Sequence, residues 1–433
     1  MSYNKQTSTA EAVANTAIFG VSHLTQLTIY VEGKKISHYK NFDLYQSAIM
    51  HHDFTLVLSH DSLGIAQDHQ LEDAQKLIGK RIRATFSYKN ITNESPNRDF
   101  VGIITKVGFE TENNSLGNII IRGYSPTVLL DAAPHTQSFG GKQPTSLKSI
   151  ADAIIKEGFE EKYKSRVEPS YTGDVSYSCQ HDETHYNFLA RTAEAYGEQF
   201  FYDGEILHFG KLPLAAKPIS LTSGKEVYQV KIEIESKHVN RSMYGYSSNN
   251  HERLTSTESK ISHRSSLAKS AYQISENTFR TPSLRIAPIK AATHKDVEFA
   301  QMSTNGSIAV NVFTTSGKTT VPFLHPGCLI EMNMRKAGVR GSSYFTKLMV
   351  IEIDHSVDAL GNYEGEFKAI GADTGYLPKP EFDIPLAEQQ MATVTDNKDA
   401  IGRVQVRFDW QMNGNTSEWI RVMSLDAGGS DKV

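Results

Sequence analysis

The sequence predicts a mainly β protein with an α/β insertion. It is built from two tube-like antiparallel β-barrel domains, a small α/β unit and the start of a further β domain. Three observations predict this class. Two blocks of segments rich in β-branched and aromatic residues lie on either side of a stretch with helical periodicity. A proline-rich segment then separates the second block from a last run of alternating apolar and polar residues.

The composition is that of a globular protein and disfavours several classes. The 433 residues are 39% apolar and 22% charged, which is ordinary. A net charge of −4 and a pI near 6.5 differ from those of a generally basic nucleic-acid binder. Two cysteines, Cys179 and Cys328, are too few for a disulfide framework. No signal peptide or run of about 20 apolar residues is visible. We therefore expect synthesis in the cytosol and, if the protein leaves, export without a cleavable signal.

The first block predicts a β-barrel domain over residues 1–140. A short helix is expected at 71–78 between its strands. Strand-like composition and flanking turn residues mark five segments: 25–33, 54–60, 81–88, 100–110 and 118–125.

Residues 141–212 predict the α/β unit. The apolar residues of 147–155 repeat every three and four positions, so they lie on one face of a helix. Thr145 or Ser146 can cap the start of this helix, and Gly158 can end it in a left-handed conformation.

A second helix is predicted to begin at His185. Thr184 is a good N-cap for it, and Gly197 can supply its stop. Two strands, EQFFYDG and EILHFGK, follow.

Residues 213–375 predict a second barrel of similar size. The polar stretch 247–266 is expected to be a long loop. The predicted strands are 227–236, 307–313, 328–334, 345–358 and 363–371.

The last two segments predict a stiff connection and an incomplete domain. Residues 376–390 carry three prolines and predict an extended linker. In 391–433 the alternation at 403–408 predicts a half-buried strand, and the WIRVMS segment predicts another. Two or three strands are marginally stable alone, so this domain is either cut short or supported by other copies.

The segment HDETH raises the question of a metal site. A zinc protease helix needs H-E-x-x-H, but here Asp182 follows His181, and Glu183 is one position late. A helix that starts at His185 would also leave His181 outside it. We therefore predict a capped helix without catalytic, cofactor-binding or metal-binding residues.

The other candidate sites are also weak. The sequence has no phosphate-binding glycine loop and no nucleophile elbow. Trp410 and Trp419 could stack on bases in a nucleic-acid-binding barrel, although packing is the more ordinary role.

Two blocks of the sequence resemble VgrG proteins, the spike and hub of type VI secretion systems and relatives of contractile phage tail hubs. In the first block the matching residues are Gln180, Glu183, Thr184, Tyr186, Phe188, Leu189, Arg191, Glu194 and Gly197. In the second they are Asp396, Asn397, Asp399, Gly402, Arg403, Val404, Val406, Phe408 and Trp410. His181 and Tyr196 depart from the first pattern, and Ala400 departs from the second. The residues of the two blocks are most similar to those of members from Bacteroidetes-type systems.

The resemblance implies a mechanical protein. It implies a homotrimer whose barrels form a six-fold-like ring on the hexameric, Hcp-like tail-tube protein and contact baseplate proteins. An oligosaccharide/oligonucleotide-binding (OB) domain begun at 391–433 would carry a needle, absent from this chain, with a PAAR-type tip protein and effectors. It further implies assembly in the cytoplasm, ejection without a signal peptide, membrane contact only by puncture, no nucleic-acid partner, no cofactor and no enzymatic activity.

Three alternatives remain open. The same architecture would serve as the hub of an extracellular contractile injection particle or a phage-like tail. A zinc metalloprotease at HDETH, or an effector carrying a cell-wall hydrolase, would be an enzyme. An OB-type nucleic-acid binder would be a binding module, which the near-neutral pI disfavours.

Overall fold

The computed structural model describes residues 23–423, except for 90–95, 112–115, 160, 214–216, 248–249, 257–259, 339, 373 and 413. Strands make up 44% of it and helices 17%, so the prediction of a mainly β protein is confirmed. Within the described part of the chain, no helix is long and apolar enough to cross a membrane. The segment 1–22, on which the signal-peptide expectation rests, lies outside the described residues.

Among the described residues of the first part of the chain, seven strands are present, and five of them were predicted. Their side chains alternate between core and surface, as the patterns required. The helix expected at 71–78 is a single 3-10 turn, Ala74–Leu77. The strands are Thr25–Val31 (β1), Lys34–Ile36 (β2), Asn41–Ser47 (β3), Asp53–Ser59 (β4), Arg81–Tyr88 (β5), Arg98–Glu110 (β6) and Asn118–Tyr124 (β7).

The α/β unit follows a second 3-10 turn, Pro126–Asp131. Its elements are His135–Ser146 (β8), Leu147–Gly158 (α1), Lys164–Glu168 (β9), Asp174–Glu183 (β10), His185–Tyr196 (α2), Gln199–Tyr202 (β11) and Ile206–Gly210 (β12). Ser146 caps α1 by accepting a hydrogen bond from the Ser149 N–H at 3.1 Å. The prediction that Gly158 lies just beyond the helix in a left-handed conformation is wrong. Gly158 is the last helical residue, and the chain leaves α1 through the buried Phe159 in an extended conformation.

The third part combines strands with two helices that were not predicted. Its elements are Ile219–Thr222 (β13), Val227–Ile234 (β14), Ser242–Ser247 (β15), Glu252–Thr255 (β16), Ser266–Thr278 (α3), Leu284–Ile286 (β17), His294–Ala309 (α4), Phe313–Thr319 (β18), Leu329–Arg335 (β19), Ser342–Asp358 (β20) and Tyr363–Gly371 (β21). The strand predicted at 307–313 is wrong. A capping box of Thr293 and Asp296 starts α4, which runs through Ala309 into a 3-10 turn, and the strand begins only at Phe313. The stretch 247–266, predicted as a loop, contains β16.

One sheet joins the two strand-rich parts. Its strands follow the order β14-β18-β21-β20-β3-β4-β7-β6-β5-β1-β2, and β19 and β13 branch from β20. The connection is made by β3 and β20, which pair antiparallel from Ser47 with Glu352 to Asn41 with Asp358. The main apolar core lies beneath this junction and includes Phe42 and Leu44 of β3 and Ile353 of β20.

A chain of buried hydrogen bonds crosses the same junction. Tyr363 donates its hydroxyl to His355 Nδ1 (2.9 Å), and His355 Nε2 faces Gln46 Oε1 (3.2 Å). Gln46 Nε2 faces His52 Nδ1 (3.2 Å), and His52 Nε2 faces the Ser47 carbonyl (3.1 Å). Every donor in this order meets an acceptor when both imidazoles are neutral. Burial lowers the pKa of His52 and of His355 to about 3.

Beyond β21 the chain runs extended to a small sheet. We call residues 376–391 the strap and residues 392–423 the C-terminal unit. The unit has three strands, Ala392–Asp396 (β22), Arg403–Phe408 (β23) and Ile420–Arg421 (β24), paired antiparallel. The OB fold stays a prediction, and residues 424–433 lie outside the described residues.

Candidate functional site

The first motif block ends β10 and forms α2. The helix begins at His185, as predicted, and Thr184 caps it by accepting a hydrogen bond from the Asn187 N–H at 3.1 Å. Gly197 ends it with φ of 80°, the left-handed conformation that glycine adopts without strain. The local residue types therefore set both ends of this helix.

The HDETH side chains are engaged in structural contacts. Glu183 is buried, and Arg191 Nε binds both of its carboxylate oxygens at 2.9 and 2.8 Å. His185 lies between Gln180 and Glu157, whereas His181 contacts Gln390. Among the described residues, no group of three or more His, Cys, Asp or Glu side chains is placed to hold a metal ion. The carboxylate that a protease would use as its base is thus held by an arginine.

The buried side of α2 packs on two surfaces. Tyr186, Phe188 and Leu189 lie in the apolar core of the α/β unit. Glu194, also buried, faces the hydroxyls of Ser303 and Thr304 on α4 at 3.4 and 3.3 Å. Burial raises the pKa of Glu194. The helix therefore connects the α/β unit to the third part of the chain.

Amide side chains hold the first half of the strap against the α/β unit. Asn187 Nδ2 donates to the Asp383 carbonyl (2.9 Å), and its Oδ1 accepts from the Asp383 N–H (2.6 Å). Gln199 Oε1 accepts from the Leu377 N–H at 2.8 Å. The predicted linker is therefore hydrogen-bonded to the α/β unit at Leu377 and Asp383.

A groove of about 820 Å³ separates the strap from the start of α2. On its wall, His51 Nε2 lies 3.1 Å from Asp131, and His51 Nδ1 lies 2.7 Å from Thr127 Oγ1. Burial opposes ionisation of Asp131, but hydrogen bonds from His51 and Thr184 hold its pKa below the usual range. Thr127 is only 1% exposed. This Asp–His–Thr series thus lacks an accessible nucleophile, and it supports the start of α2.

The two motif blocks meet at one residue that the sequence did not single out. Gln390 Nε2 lies 3.1 Å from His181 Nε2, and Trp410 Nε1 donates to Gln390 Oε1 at 2.8 Å. Residues about 200 positions apart thereby share one contact. No local pattern marks Gln390, because its contact with His181 forms only when the C-terminal part of the chain lies against the α/β unit.

The second block builds the turn and strand of the C-terminal unit. Arg403 binds Asp399 through Nε (2.8 Å), and Gly402 has φ of 77°. Phe408 and Trp410 stack with ring centroids 5.4 Å apart. The remaining block residues are placed as follows: Val404 is half-buried, Val406 is buried, Asp396 accepts from the Lys398 N–H, and Asn397 is exposed.

The C-terminal unit rests on β8. Gln411 Nε2 donates to Ser138 Oγ at 2.8 Å, and a Cβ on Gly141 would lie 2.0 Å from the Thr416 carbonyl oxygen. Only glycine permits this approach. Eight large apolar side chains of the strap and unit are exposed: Ile384, Leu386, Met391, Val394, Ile401, Met412, Val422 and Met423.

No protein-family model matches the sequence, and no curated protein matches it. Solved structures, however, share its fold. The Escherichia coli c3393 protein is a component of the type VI secretion system with structural similarity to the T4 tail proteins gp27 and gp5. It has a TM-score of 0.58 at 14% identity, over 90% of this chain and 92% of that one.

Two further structures extend the likeness. The tail protein from Neisseria meningitidis MC58 gives a TM-score of 0.57 at 11% identity, over 81% of this chain and 99% of that one. A chain of the Francisella PdpA–VgrG complex gives 0.53 at 10% identity, over 98% of this chain and 78% of that one. This chain therefore has the hub fold found in type VI secretion and phage tail proteins.

Proposed function

We propose that the chain is the structural hub of a contractile injection machine, a trimeric adaptor between the hexameric tail tube and a membrane-piercing spike. The observation that carries this proposal is the single sheet that joins both strand-rich parts and has free edges at β14 and at residues 106–110 of β6. The hub fold of the structural neighbours supports it.

The open ends suit head-to-tail assembly of identical copies. Among the described strands, β14 pairs only with β18, and residues 106–110 of β6 pair only with β7. Between these two edges lies the run β14-β18-β21-β20-β3-β4-β7-β6, in which every neighbouring pair is antiparallel. With eight strands, β14 and β6 run in opposite directions. A second copy can therefore add its β6 to β14 in antiparallel pairing, and a heterologous contact of this kind forms a ring when the rotation between copies closes.

Side chains at the β14 edge favour the same contact. Tyr228, Ile232 and Ile234 are exposed, which is unusual for the edge of a sheet without a partner. In the ring the exposed apolar side chains of the strap and C-terminal unit would face the other copies. That packing would support a domain that is marginal on its own.

The remaining partners follow from the hub role. The ring would bind an Hcp-like tube protein and baseplate proteins, and residues beyond the C-terminal unit would carry the spike, a PAAR-type tip protein and effectors. The protein would assemble in the cytoplasm and be ejected by contraction. Its role is mechanical and needs no catalysis. An extracellular particle or a phage-like tail would use the same hub, and the likeness to the Neisseria meningitidis tail protein supports that second machine.

Solution mass tests the assembly. Light scattering of the 433-residue chain should give three times 48.2 kDa, and the trimer should capture an Hcp-like tube protein. Ile232→Lys combined with Ile234→Lys should return the mass to that of a monomer, because charges at the edge disfavour strand addition. Leu360→Lys, at an exposed turn away from both edges, is the control. A monomeric wild type at every concentration contradicts the ring.

A further inference from the structure

The small sheet in the third part of the chain ends in a strand with a free edge. Its strands follow the order β16-β15-β17, and among the described strands β17 pairs only with β15, in parallel. The Ser283 carbonyl and the Ala287 N–H bind β15. Because successive residues of a strand point their backbone groups to opposite sides, the N–H and C=O groups of Leu284 and Ile286 point away from β15. This edge therefore offers unpaired donors and acceptors to another strand.

The side chains of this edge are unusual for one that only water covers. Leu284 and Ile286 lie on the same face of β17, and both are exposed. Natural sheets protect their edges with charges, with prolines or with short strands. Here Pro282 and Pro288 flank the three residues of β17. They limit the length of an added strand but leave the backbone groups between them free.

The strap contains a segment of matching length that is also unpaired. Residues 384–386, with the sequence Ile-Pro-Leu, follow the hydrogen-bonded Asp383, and their backbone makes no hydrogen bond to any described residue. Both Ile384 and Leu386 are exposed. Ile384 precedes a proline, which favours the extended backbone of a strand. The segment is therefore an extended chain with apolar side chains at alternate positions.

One antiparallel register suits both segments. It pairs Leu284 with Leu386 and Ile286 with Ile384, so that all four side chains lie on one face and both pairs exchange backbone hydrogen bonds. Pro385 then lies between the two pairs, where an N–H would point away from β17. The N–H that proline lacks is therefore not needed in this register, whereas a shift by one residue would place proline where a donor is required.

The charges of the two segments are opposite. Residues 280–290 carry three basic side chains and no carboxylate. Lys290 pairs with Glu418 of the same chain, whereas no described carboxylate lies within ion-pair distance of the two arginines. Residues 381–390 carry three carboxylates and no basic side chain. Attraction between them favours this contact, and repulsion disfavours the pairing of β17 with a second β17.

We propose that β17 of one copy takes up residues 384–386 from the strap of a second copy as an added strand. Within one chain both segments are exposed, so they do not cover each other. The start of the strap is held by its own chain, since the Glu381 N–H donates to the Ile49 carbonyl in the first part at 3.1 Å.

The direction of this contact agrees with that of the ring. In the ring β14 of one copy meets β6 of the next, so the third part of one copy lies against the first part of its neighbour. The addition of a neighbour's strap to β17 follows the same head-to-tail order. It rests on the proposed function, because it needs more than one copy, and it names the surface that the strap covers.

Disulfide cross-linking tests the contact. The Cα atoms of such a pair lie about 5.5 Å apart, within reach of a disulfide. After oxidation, the 433-residue chain with Leu284→Cys and Leu386→Cys should give covalently joined copies on a non-reducing gel. Each single variant would face a leucine and should give no more than the wild type, in which Cys179 and Cys328 set the background. A disulfide within one chain, or equal cross-linking by the single variants, overturns the proposal.

Two proline variants test the register. With Ile286→Cys and Ile384→Cys as the cross-linking pair, Leu386→Pro should lower the yield of joined copies roughly fivefold, because it removes an N–H that points to β17. Ala387→Pro is the matched control, since its N–H points away, and it should leave the yield unchanged. Equal losses from the two prolines contradict the register.

Light scattering of the same samples separates the strand addition from the hub assembly. Trimers that form without the specific cross-link overturn the strand addition and leave the ring in place. A wild type that stays monomeric, with no cross-link in the double variants, overturns both.

Discussion

At the scale of single residues, the ion pair of Glu183 and Arg191 gives HDETH a structural role. The side chain of Glu183 is 5% exposed and that of Arg191 is 25% exposed. Arg191 also donates to the Cys179 carbonyl at 2.7 Å, so it ties the end of β10 to α2. Removing either partner leaves the other without its counter-charge, but only Arg191 can then turn towards water.

This asymmetry gives the first prediction. Arg191→Met should lower the free energy of unfolding by about 3 kcal/mol, because it leaves the buried carboxylate of Glu183 without a counter-charge. Glu183→Gln should cost less, about 1 kcal/mol, since water can solvate the freed guanidinium. Urea unfolding with linear extrapolation measures both. Lys76→Met breaks the exposed pair with Asp73 and should change nothing measurable. Equal losses from both variants would show that burial of the carboxylate does not dominate.

At the scale of elements, the structure shows which elements local sequence can predict. The ends of α2 were predictable because Thr184 and Gly197 act on their own neighbours. Helix α4 was not predictable, because the polar residues Gln301, Ser303 and Asn305 on its buried face interrupt the apolar periodicity. Strand alternation located most strands. It could not locate the pairing of β3 with β20, which brings together residues 313 positions apart. The meeting of the motif blocks at Gln390 was hidden for the same reason.

The second prediction concerns the strap. Asn187→Leu removes both hydrogen bonds to Asp383 and the one that Asn187 Nδ2 donates to Glu183 (2.7 Å), but it leaves the Thr184 cap in place, since the cap uses the Asn187 backbone. We expect hydrogen exchange of residues 381–391 to accelerate roughly tenfold, because two hydrogen bonds together contribute about 1–2 kcal/mol to holding the segment. Helix α2 should keep its protection.

Its control is Lys269→Leu, an exposed position on α3. Accelerated exchange in both variants would indicate a general loosening. Unchanged exchange in the strap after Asn187→Leu would show that its prolines and Leu377 hold it without the amide.

At the scale of the whole molecule, the hydrogen-bond chain from Tyr363 to Ser47 joins the two strand-rich parts and makes their union sensitive to acid. The pKa of His52 and of His355 is about 3 when folded, mainly because of burial, against the ordinary histidine pKa of 6.5. Nearby Arg98 lowers both values, His51 further lowers that of His52, and Asp203 opposes these effects at His52. Between pH 6.5 and 3 the unfolded chain therefore binds more protons than the folded one. Stability must fall as the pH falls through this window.

The last prediction follows from that sign. As the pH falls from about 7 to 5, protonation of each of these histidines in the unfolded chain should lower the free energy of unfolding by about 2 kcal/mol. Urea unfolding across this pH range measures the change. His52→Asn should be less stable at neutral pH but lose stability less steeply on acidification, because one proton is removed from the linkage. His251→Asn, an exposed control, should keep the wild-type slope. If His52→Asn leaves the dependence of stability on pH unchanged, His52 is not one of the groups whose protonation destabilises the fold. A flatter slope would identify the junction of β3 and β20 as a place where acid destabilises the fold.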